Sequence, residues 1–165
     1  MKSQIFARCF LVFTSIFLAY GAFAQEPGMK TLPPIKITTT AAKVDQRVWN
    51  SFRKSFEQAE EVKWYNLDKN LLAKFIMDDQ QNTALFNKKG YLLYHIAYGS
   101  ESNLPAELRK QVKSAYVDFN ITKAIKVEED DRTIWVVNLE DANNLILVRL
   151  ENGELEEVKN LKKSS

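Results

Sequence analysis

The sequence predicts an α+β fold, a tandem repeat of one helix packed on a four-stranded antiparallel sheet. Twice along the chain, a segment with helical apolar spacing precedes four short strand-like segments. The hairpin pattern around Gly90 recurs more weakly around Gly153, at an offset of 63 residues. The helix residues repeat at an offset of 60, pairing Phe52, Phe56 and Ala59 with Val112, Tyr116 and Phe119. This self-similarity predicts two related halves.

The N-terminal residues predict an export signal. Lys2 and Arg8 give a basic start, and residues 9–19 form an apolar run too short to span a bilayer comfortably. Residues 22–24 read Ala-Phe-Ala, the small-x-small form of a signal-peptidase site. We expect residues 1–24 to be a signal peptide cleaved between Ala24 and Gln25. The mature protein would be periplasmic or secreted, without a stable membrane span.

Composition excludes several classes of function for the exported chain. Without Lys2 and Arg8, 21 basic residues balance the 21 acidic ones, so no excess of positive charge favours nucleic acid. Cys9, the only cysteine, would leave with the signal, which excludes disulfides and thiolate chemistry. The few glycines form no phosphate-binding loop. We therefore expect no cofactor.

The first predicted unit covers residues 44–100 and follows a proline-containing tether at 25–43. Asp45 is a plausible N-cap, and apolar residues then recur at helical spacing. Four strands follow, with turns near residues 68–70, 78–81 and 87–90. If Gly90 closes a bulged turn, Phe86 faces Leu92. Strand alternation then places these residues on the core side: Ala84, Phe86, Leu92, Tyr94, Ile96 and Tyr98.

The second predicted unit covers residues 101–160, followed by a polar tail that ends the domain at residue 165. Leu104-Pro105 opens a helix whose apolar face includes Leu108 and Val112. Four further strands follow. Because each helix has one apolar stripe, it should cover one face of its sheet and leave the other open.

These segments resemble the exported bacterial PepSY-like domains with a β-lactamase-inhibitor-protein-like (BLIP-like) fold. The matching pieces are residues 59–64, residues 84–90, Leu104-Pro105 and Asn152-Gly153, across about residues 45–159. The resemblance implies a tandem helix-plus-sheet fold and a non-enzymatic binding or inhibitory role outside the cytoplasm. The inhibitor that names the fold is disulfide-bonded, whereas this exported chain would contain no cysteine, which weakens any transfer of its target.

No catalytic or metal constellation emerges from the residues. His95 is the only histidine, and neither a nucleophile nor further metal ligands can be named beside it. The acidic runs at residues 78–79, 128–131 and 140–141 fall in turns, where solvated charge is usual. We expect no enzymatic activity and no bound metal.

The strand at residues 91–98 is apolar or aromatic on both faces. This pattern indicates either burial on both sides in a central strand or an exposed aromatic patch that anchors a partner. Under the second interpretation, the surface comprises Tyr91, Leu93 and His95, flanked by Lys74 and Ile76. The leading hypothesis is binding of a protein or peptide in the cell envelope through the open sheet face. The alternative is a periplasmic sensor of small molecules or ions that uses the cleft between the repeats. The oligomeric state is left open.

Overall fold

A computed structural model describes residues 43–163. Helix α1 spans Gln46–Ser55 and helix α2 spans Ala106–Ala115, with a short 3-10 turn at Glu101–Asn103 before α2. The predicted N-cap is confirmed, because the Asp45 carboxylate accepts a hydrogen bond of 2.9 Å from the Arg47 backbone N–H. The predicted signal peptide and its cleavage site lie outside the described residues, as does all but the last residue of the tether.

Eight strands make up most of the described chain. The first four are β1 (Glu60–Leu67), β2 (Asn70–Met77), β3 (Gln80–Asn87) and β4 (Leu92–Gly99). After α2 come β5 (Asn120–Glu129), β6 (Arg132–Glu140), β7 (Asn144–Glu151) and β8 (Glu154–Lys162). Each strand pairs antiparallel with its neighbour in the chain, so one sheet runs in the order β1 to β8.

The predicted fold class is wrong, because the strands do not form two four-stranded sheets. β4 pairs directly with β5, for example at Ile96 and Val127. One continuous sheet therefore crosses the junction between the predicted repeats, and the described chain is mostly β. A lone β4 edge would leave a row of backbone N–H and C=O groups unpaired. Pairing with β5 satisfies these groups. Among the described strands, only β1 and β8 are edges.

Both helices pack on the same face of the sheet. In the β1–β4 half, Val48 and Phe52 of α1 are buried against sheet residues that include Phe75 and Phe86. In the β5–β8 half, Val112 of α2 is buried among the residues Ala124, Val137, Leu139, Ile146, Val148 and Leu150. The two cores share a face because His95, against α1, pairs with Glu128, and Gly99 pairs with Ala124 four residues away along each strand.

The β3–β4 hairpin corrects the predicted faces of β4. Phe86 pairs with Leu92 as expected, but Leu85 then pairs with Tyr94, so Leu93 is an extra residue in β4. One inserted residue reverses the side to which every later side chain points. The predicted core positions Tyr94, Ile96 and Tyr98 therefore lie on the face opposite the helices, and His95 lies on the helix-covered face with Ala84.

Replacement of Gly90 by alanine should destabilise the protein more than the same change at Gly153. Both glycines have left-handed backbones, with φ of 87° and 82°. At Gly90, an added Cβ would lie 2.9 Å from Ser51 Oγ and 3.2 Å from the Arg47 carbonyl oxygen of α1. We expect a loss of about 2–3 kcal/mol in the free energy of unfolding at Gly90, measured by urea denaturation.

Gly153 is the matched control for this prediction. A Cβ there would meet nothing within 4 Å, so only the backbone conformation opposes it. The expected loss is about 1 kcal/mol. Equal losses at the two positions would show that the close approach of the β3–β4 turn to α1 does not contribute to stability.

Candidate functional site

Neither helix covers the second face of the sheet, which we call the open face. It is defined by the alternate strand residues that point away from α1 and α2. Its apolar members run from β1 to β8 and are Tyr65, Leu67, Leu72, Ile76, Leu85, Tyr94, Ile96, Tyr98, Ile125, Val127, Ile134, Val136, Leu145, Leu147 and Leu161. Several strands of this sheet are thus apolar on both sides.

Directly paired residues form rows across the open face. One row consists of Tyr65, Leu72, Leu85 and Tyr94. Leu72 and Leu85 are only 8% and 7% exposed, although neither α1 nor α2 covers this side. They lie between the two tyrosines, whereas Tyr98, two rows away, is 44% exposed. The row therefore has a tightly packed aliphatic centre with aromatic flanks.

A concave region on this face has a volume of about 580 Å³. All of its lining residues lie on β1 to β4, and they include Tyr65, Tyr94, Ile96 and Tyr98. Burial, and next the neighbouring Tyr98, raise the pKa of the Tyr94 phenol above its usual value. The Tyr94 hydroxyl is therefore neutral at physiological pH and can donate a hydrogen bond.

Two lysines face each other at the β1–β2 end of the open face. Lys63 and Lys74 are direct cross-strand partners, and both line the concave region. Lys74 Nζ lies 5.5 Å from the centre of the Tyr65 ring, a cation–π distance. Within residues 43–163, neither lysine has a carboxylate within ion-pair distance.

The other end of the open face carries several glutamates, and the two arginines there are paired with them. Arg149 of β7 forms ion pairs with Glu151 and Glu156, the latter at 3.5 Å. Arg132 Nε donates to Glu151 Oε1 at 2.8 Å, and this hydrogen bond is the main reason that the pKa of Glu151 is lowered. Carboxylates therefore compensate these two arginines, whereas no carboxylate of the described chain compensates Lys63 or Lys74.

His95 belongs to a polar cluster on the helix-covered side. The Asn82 amide nitrogen donates to the carbonyl oxygens of Met77 and Gln80, at 3.2 and 2.8 Å. The Asn82 side-chain oxygen therefore accepts a hydrogen bond of 2.9 Å from His95 Nε2. The imidazole is 8% exposed, and its centroid lies 4.8 Å from that of the Phe56 ring. His95 thus links β3 to the α1 core.

Glu128 of β5 completes this cluster. Its Oε2 lies 2.9 Å from His95 Nδ1, and its Oε1 lies 2.5 Å from Lys126 Nζ. Burial by itself would raise the pKa of the Glu128 carboxyl, but the contacts with Lys126 and then His95 outweigh burial and lower it. The cluster joins β3, β4 and β5 across the junction between the two halves of the sheet.

The five residues predicted for partner binding do not lie on one surface. Lys74 and Ile76 lie on the open face, whereas His95 is buried beneath α1. Tyr91 is 66% exposed in the turn before β4, and Leu93 is the half-buried extra residue of β4. A binding role for these five residues stays a prediction.

The prediction omitted Lys63 and placed Tyr94, Ile96 and Tyr98 in the core. The position of Lys63 opposite Lys74 could have been predicted from the sequence. A two-residue turn at Asp68 and Lys69 makes Leu67 pair with Asn70, and counting back along both strands sets Lys63 opposite Lys74. No local signal marks Leu93 as an extra residue, so the three β4 residues could not be assigned to the open face in this way.

Residues 43–163 contain neither a metal-binding cluster nor a membrane-spanning helix. This part of the chain holds no group of three or more histidine, cysteine, aspartate or glutamate residues that could bind a metal ion. Neither helix there is long and apolar enough to cross a membrane.

Comparison with known proteins gives matches of structure only. No family model matches the sequence, and no curated protein matches it. A BLIP-like protein from Bacteroides fragilis has a TM-score of 0.60 and 19% identity, covering 82% of this chain and 92% of that one. A DUF2874 family protein from Bacteroides ovatus has a TM-score of 0.59 and 20% identity, covering 73% and 89%.

A third similar structure comes from Bacteroides eggerthii and is described provisionally as periplasmic. Its TM-score is 0.57 at 12% identity, with 73% of this chain and 90% of that one covered. At such low identity, the likeness shows the arrangement of the backbone and not the chemistry of a site. The chain therefore has a BLIP-like fold, with one continuous antiparallel sheet and both helices on one of its faces.

Proposed function

We propose that this is an exported, non-enzymatic protein that binds another protein or a peptide of the cell envelope through the open face. The observation that carries the proposal is the apolar and aromatic character, across eight strands, of a sheet face that no element of residues 43–163 covers. Apolar surface on such a face commonly marks a site of association.

The side chains on the open face suit a polypeptide partner. Tyr65, Tyr94 and Tyr98 combine apolar rings with hydroxyl groups, and tyrosine is enriched in protein interfaces. The aliphatic residues Ile96 and Val127 continue the surface from β4 onto β5. A partner could therefore bury apolar area and still find hydrogen-bond donors among the tyrosines.

A sensor of small molecules has less support. The sheet is continuous where a cleft between repeats was expected, because β4 pairs with β5. The concave region lies instead in the β1–β4 half and is lined by residues of those strands alone. Small-molecule sites usually enclose most of the ligand surface, which a single sheet face does not do.

Export to the envelope is part of the same proposal. The basic start, the apolar run and the Ala-Phe-Ala sequence at residues 22–24 support it. The provisional periplasmic description of the Bacteroides eggerthii protein agrees with this location. The membership of the PepSY-like family stays a prediction.

Photo-crosslinking in cells that express the protein should locate the partner on the open face. Benzoylphenylalanine at Tyr98, which is 44% exposed, should give an adduct with another polypeptide on irradiation. The same group at Val117, which is 79% exposed after α2, should give none. Mass spectrometry of the adduct identifies the partner.

The substitution Ile96→Arg, made in the protein that carries the crosslinker at Tyr98, tests whether the adduct depends on the open face. It places a charge in the centre of the open face without touching either helix core. The Tyr98 adduct should fall at least about tenfold, since burial of an unpaired charge at an interface is costly. Strong adducts at Val117 and none at Tyr98 would contradict the proposed binding face.

A further inference from the structure

We infer that the segment bound by the open face is acidic and extended, with an aspartate or glutamate side chain placed between Lys63 and Lys74. This inference rests on the proposed function and adds the chemistry of the partner. The carboxylate would have apolar neighbours in its own chain, because Tyr65, Leu72 and Ile76 lie in the rows beside the two lysines.

The first argument is the position of the two like charges. Lys63 and Lys74 are directly paired across β1 and β2, so their side chains leave the sheet side by side on the same face. Like charges directly opposite one another destabilise a sheet. A carboxylate between them removes the repulsion and forms two charge-assisted contacts, so the pair is suited to an anion that residues 43–163 do not supply.

The second argument is the contrast between the two lysines and Lys126, which also lies on a strand of this sheet. Lys126 Nζ lies 2.5 Å from a Glu128 oxygen. A strand lysine of this sheet can therefore pair with a carboxylate of its own chain. Glu61 also lines the concave region, but it forms no ion pair with Lys63 or Lys74 within the described chain.

The third argument concerns the Tyr65 ring. Because Lys74 Nζ lies 5.5 Å from the ring centre, the aromatic face holds the ammonium group above β1. An ammonium held in this way loses less side-chain entropy when an anion binds. The Tyr65 ring therefore prepares Lys74 for a partner outside the chain.

The surroundings indicate the rest of the segment. Lys63 and Lys74 begin a row that continues through Thr83 and Ile96 to Val127. The row on one side contains Tyr65, Leu72, Leu85 and Tyr94. The row on the other side contains Ile76, Gln81 and Tyr98. An extended chain places successive side chains at intervals that match such rows, so apolar residues beside the carboxylate find apolar contacts.

The charge at the other end of the open face argues against a membrane surface as the anion. Glu151, Glu154 and Glu156 line a smaller pocket there with Arg149. A sheet of anionic lipid would be repelled by this acidic end while it approached the lysines. A single acidic segment contacts the lysine end alone, and it fits the charge distribution better.

Three peptides test the inference by isothermal titration calorimetry with the purified protein. Each has nine residues of alternating threonine and valine, with capped ends, and carries glutamate, glutamine or lysine at its centre. The wild-type protein should bind the glutamate peptide at least about tenfold more tightly than the glutamine peptide, as expected for charge-assisted hydrogen bonds. The lysine peptide should bind more weakly still.

Matched variants assign this preference to the lysine pair. In Lys63→Met/Lys74→Met, which keeps most of the side-chain length, the preference for glutamate should fall below about twofold. The control Lys88→Met/Lys89→Met removes two exposed charges from the β3–β4 turn and should keep the tenfold preference. The urea midpoint of Lys63→Met/Lys74→Met should equal or exceed that of the wild type, since a repulsion has been removed.

Several results would overturn the inference. Equal affinity of the wild type for the glutamate and glutamine peptides would exclude carboxylate binding and leave the open face as a neutral apolar site. No binding of any peptide, a lower urea midpoint in the lysine variant, or a second copy of this chain in the Tyr98 adduct would also overturn it. The crosslinks at Tyr98 and Val117 test the proposed function separately, because they require no acidic partner.

Discussion

Replacement of Phe52 by alanine should lower the free energy of unfolding by about 3–5 kcal/mol, the usual cost of removing a buried phenylalanine ring. Phe52 is 1% exposed at the centre of the α1 core. Its ring centroid lies 5.1 Å from that of Phe75 and 5.2 Å from that of Trp64. Urea denaturation followed by tryptophan fluorescence measures the change.

The size of this loss follows from the position of Phe52 between helix and sheet. The side chain also contacts Phe56 and Phe86, so one ring joins α1 to three strands. Removing it leaves a cavity that a ten-residue helix fixed at both ends cannot readily fill. The loss should therefore lie towards the upper part of the range.

Tyr91→Ala is the matched control for an aromatic truncation. Tyr91 is 66% exposed, so its removal should change the free energy of unfolding by no more than about 0.5 kcal/mol. A loss below about 1 kcal/mol for Phe52→Ala would refute the view that α1 is held by this aromatic core.

Replacement of His95 by alanine should cost about 2–4 kcal/mol. The variant loses the packing of the imidazole against Phe56 and Phe75. It also leaves the Asn82 side-chain oxygen, in a residue 2% exposed, without its hydrogen-bond donor. Urea denaturation at neutral pH measures this loss.

Glu128→Gln separates the buried contact of His95 from its more exposed one. The Glu128 side chain is 37% exposed, so solvent screens its charge and the expected loss is below about 1 kcal/mol. A loss equal to that of His95→Ala would show that the ion pair, and not the bond to Asn82, holds the junction.

The same variant distinguishes a structural from a binding role for His95. In the structural role, His95→Ala lowers stability but keeps the Tyr98 crosslink at temperatures where the protein is folded. In the binding role that the sequence pattern predicted, the adduct is lost while the variant remains folded. The position of His95 beneath α1 favours the first result.

Part of the candidate site can be predicted from local sequence. The turn at Asp68 and Lys69 sets the pairing of β1 with β2, and the turn before Gly90 sets Phe86 opposite Leu92. The apolar character of both faces of β4 was evident as well. Which of those faces the helix covers was not evident, because the extra residue Leu93 reverses the alternation without any change in residue type.

The sequence by itself determined the positions of the helices, most strand segments and the N-cap at Asp45, because these depend on residues a few positions apart. Only the tertiary structure decided that β5 pairs with β4, that both helices share one face, and that His95 meets Glu128, which is 33 residues away. These features depend on pairing between exposed strand edges and on a single inserted residue. The periodicity of nearby residues reveals neither the free energy of edge pairing nor the position of the insertion.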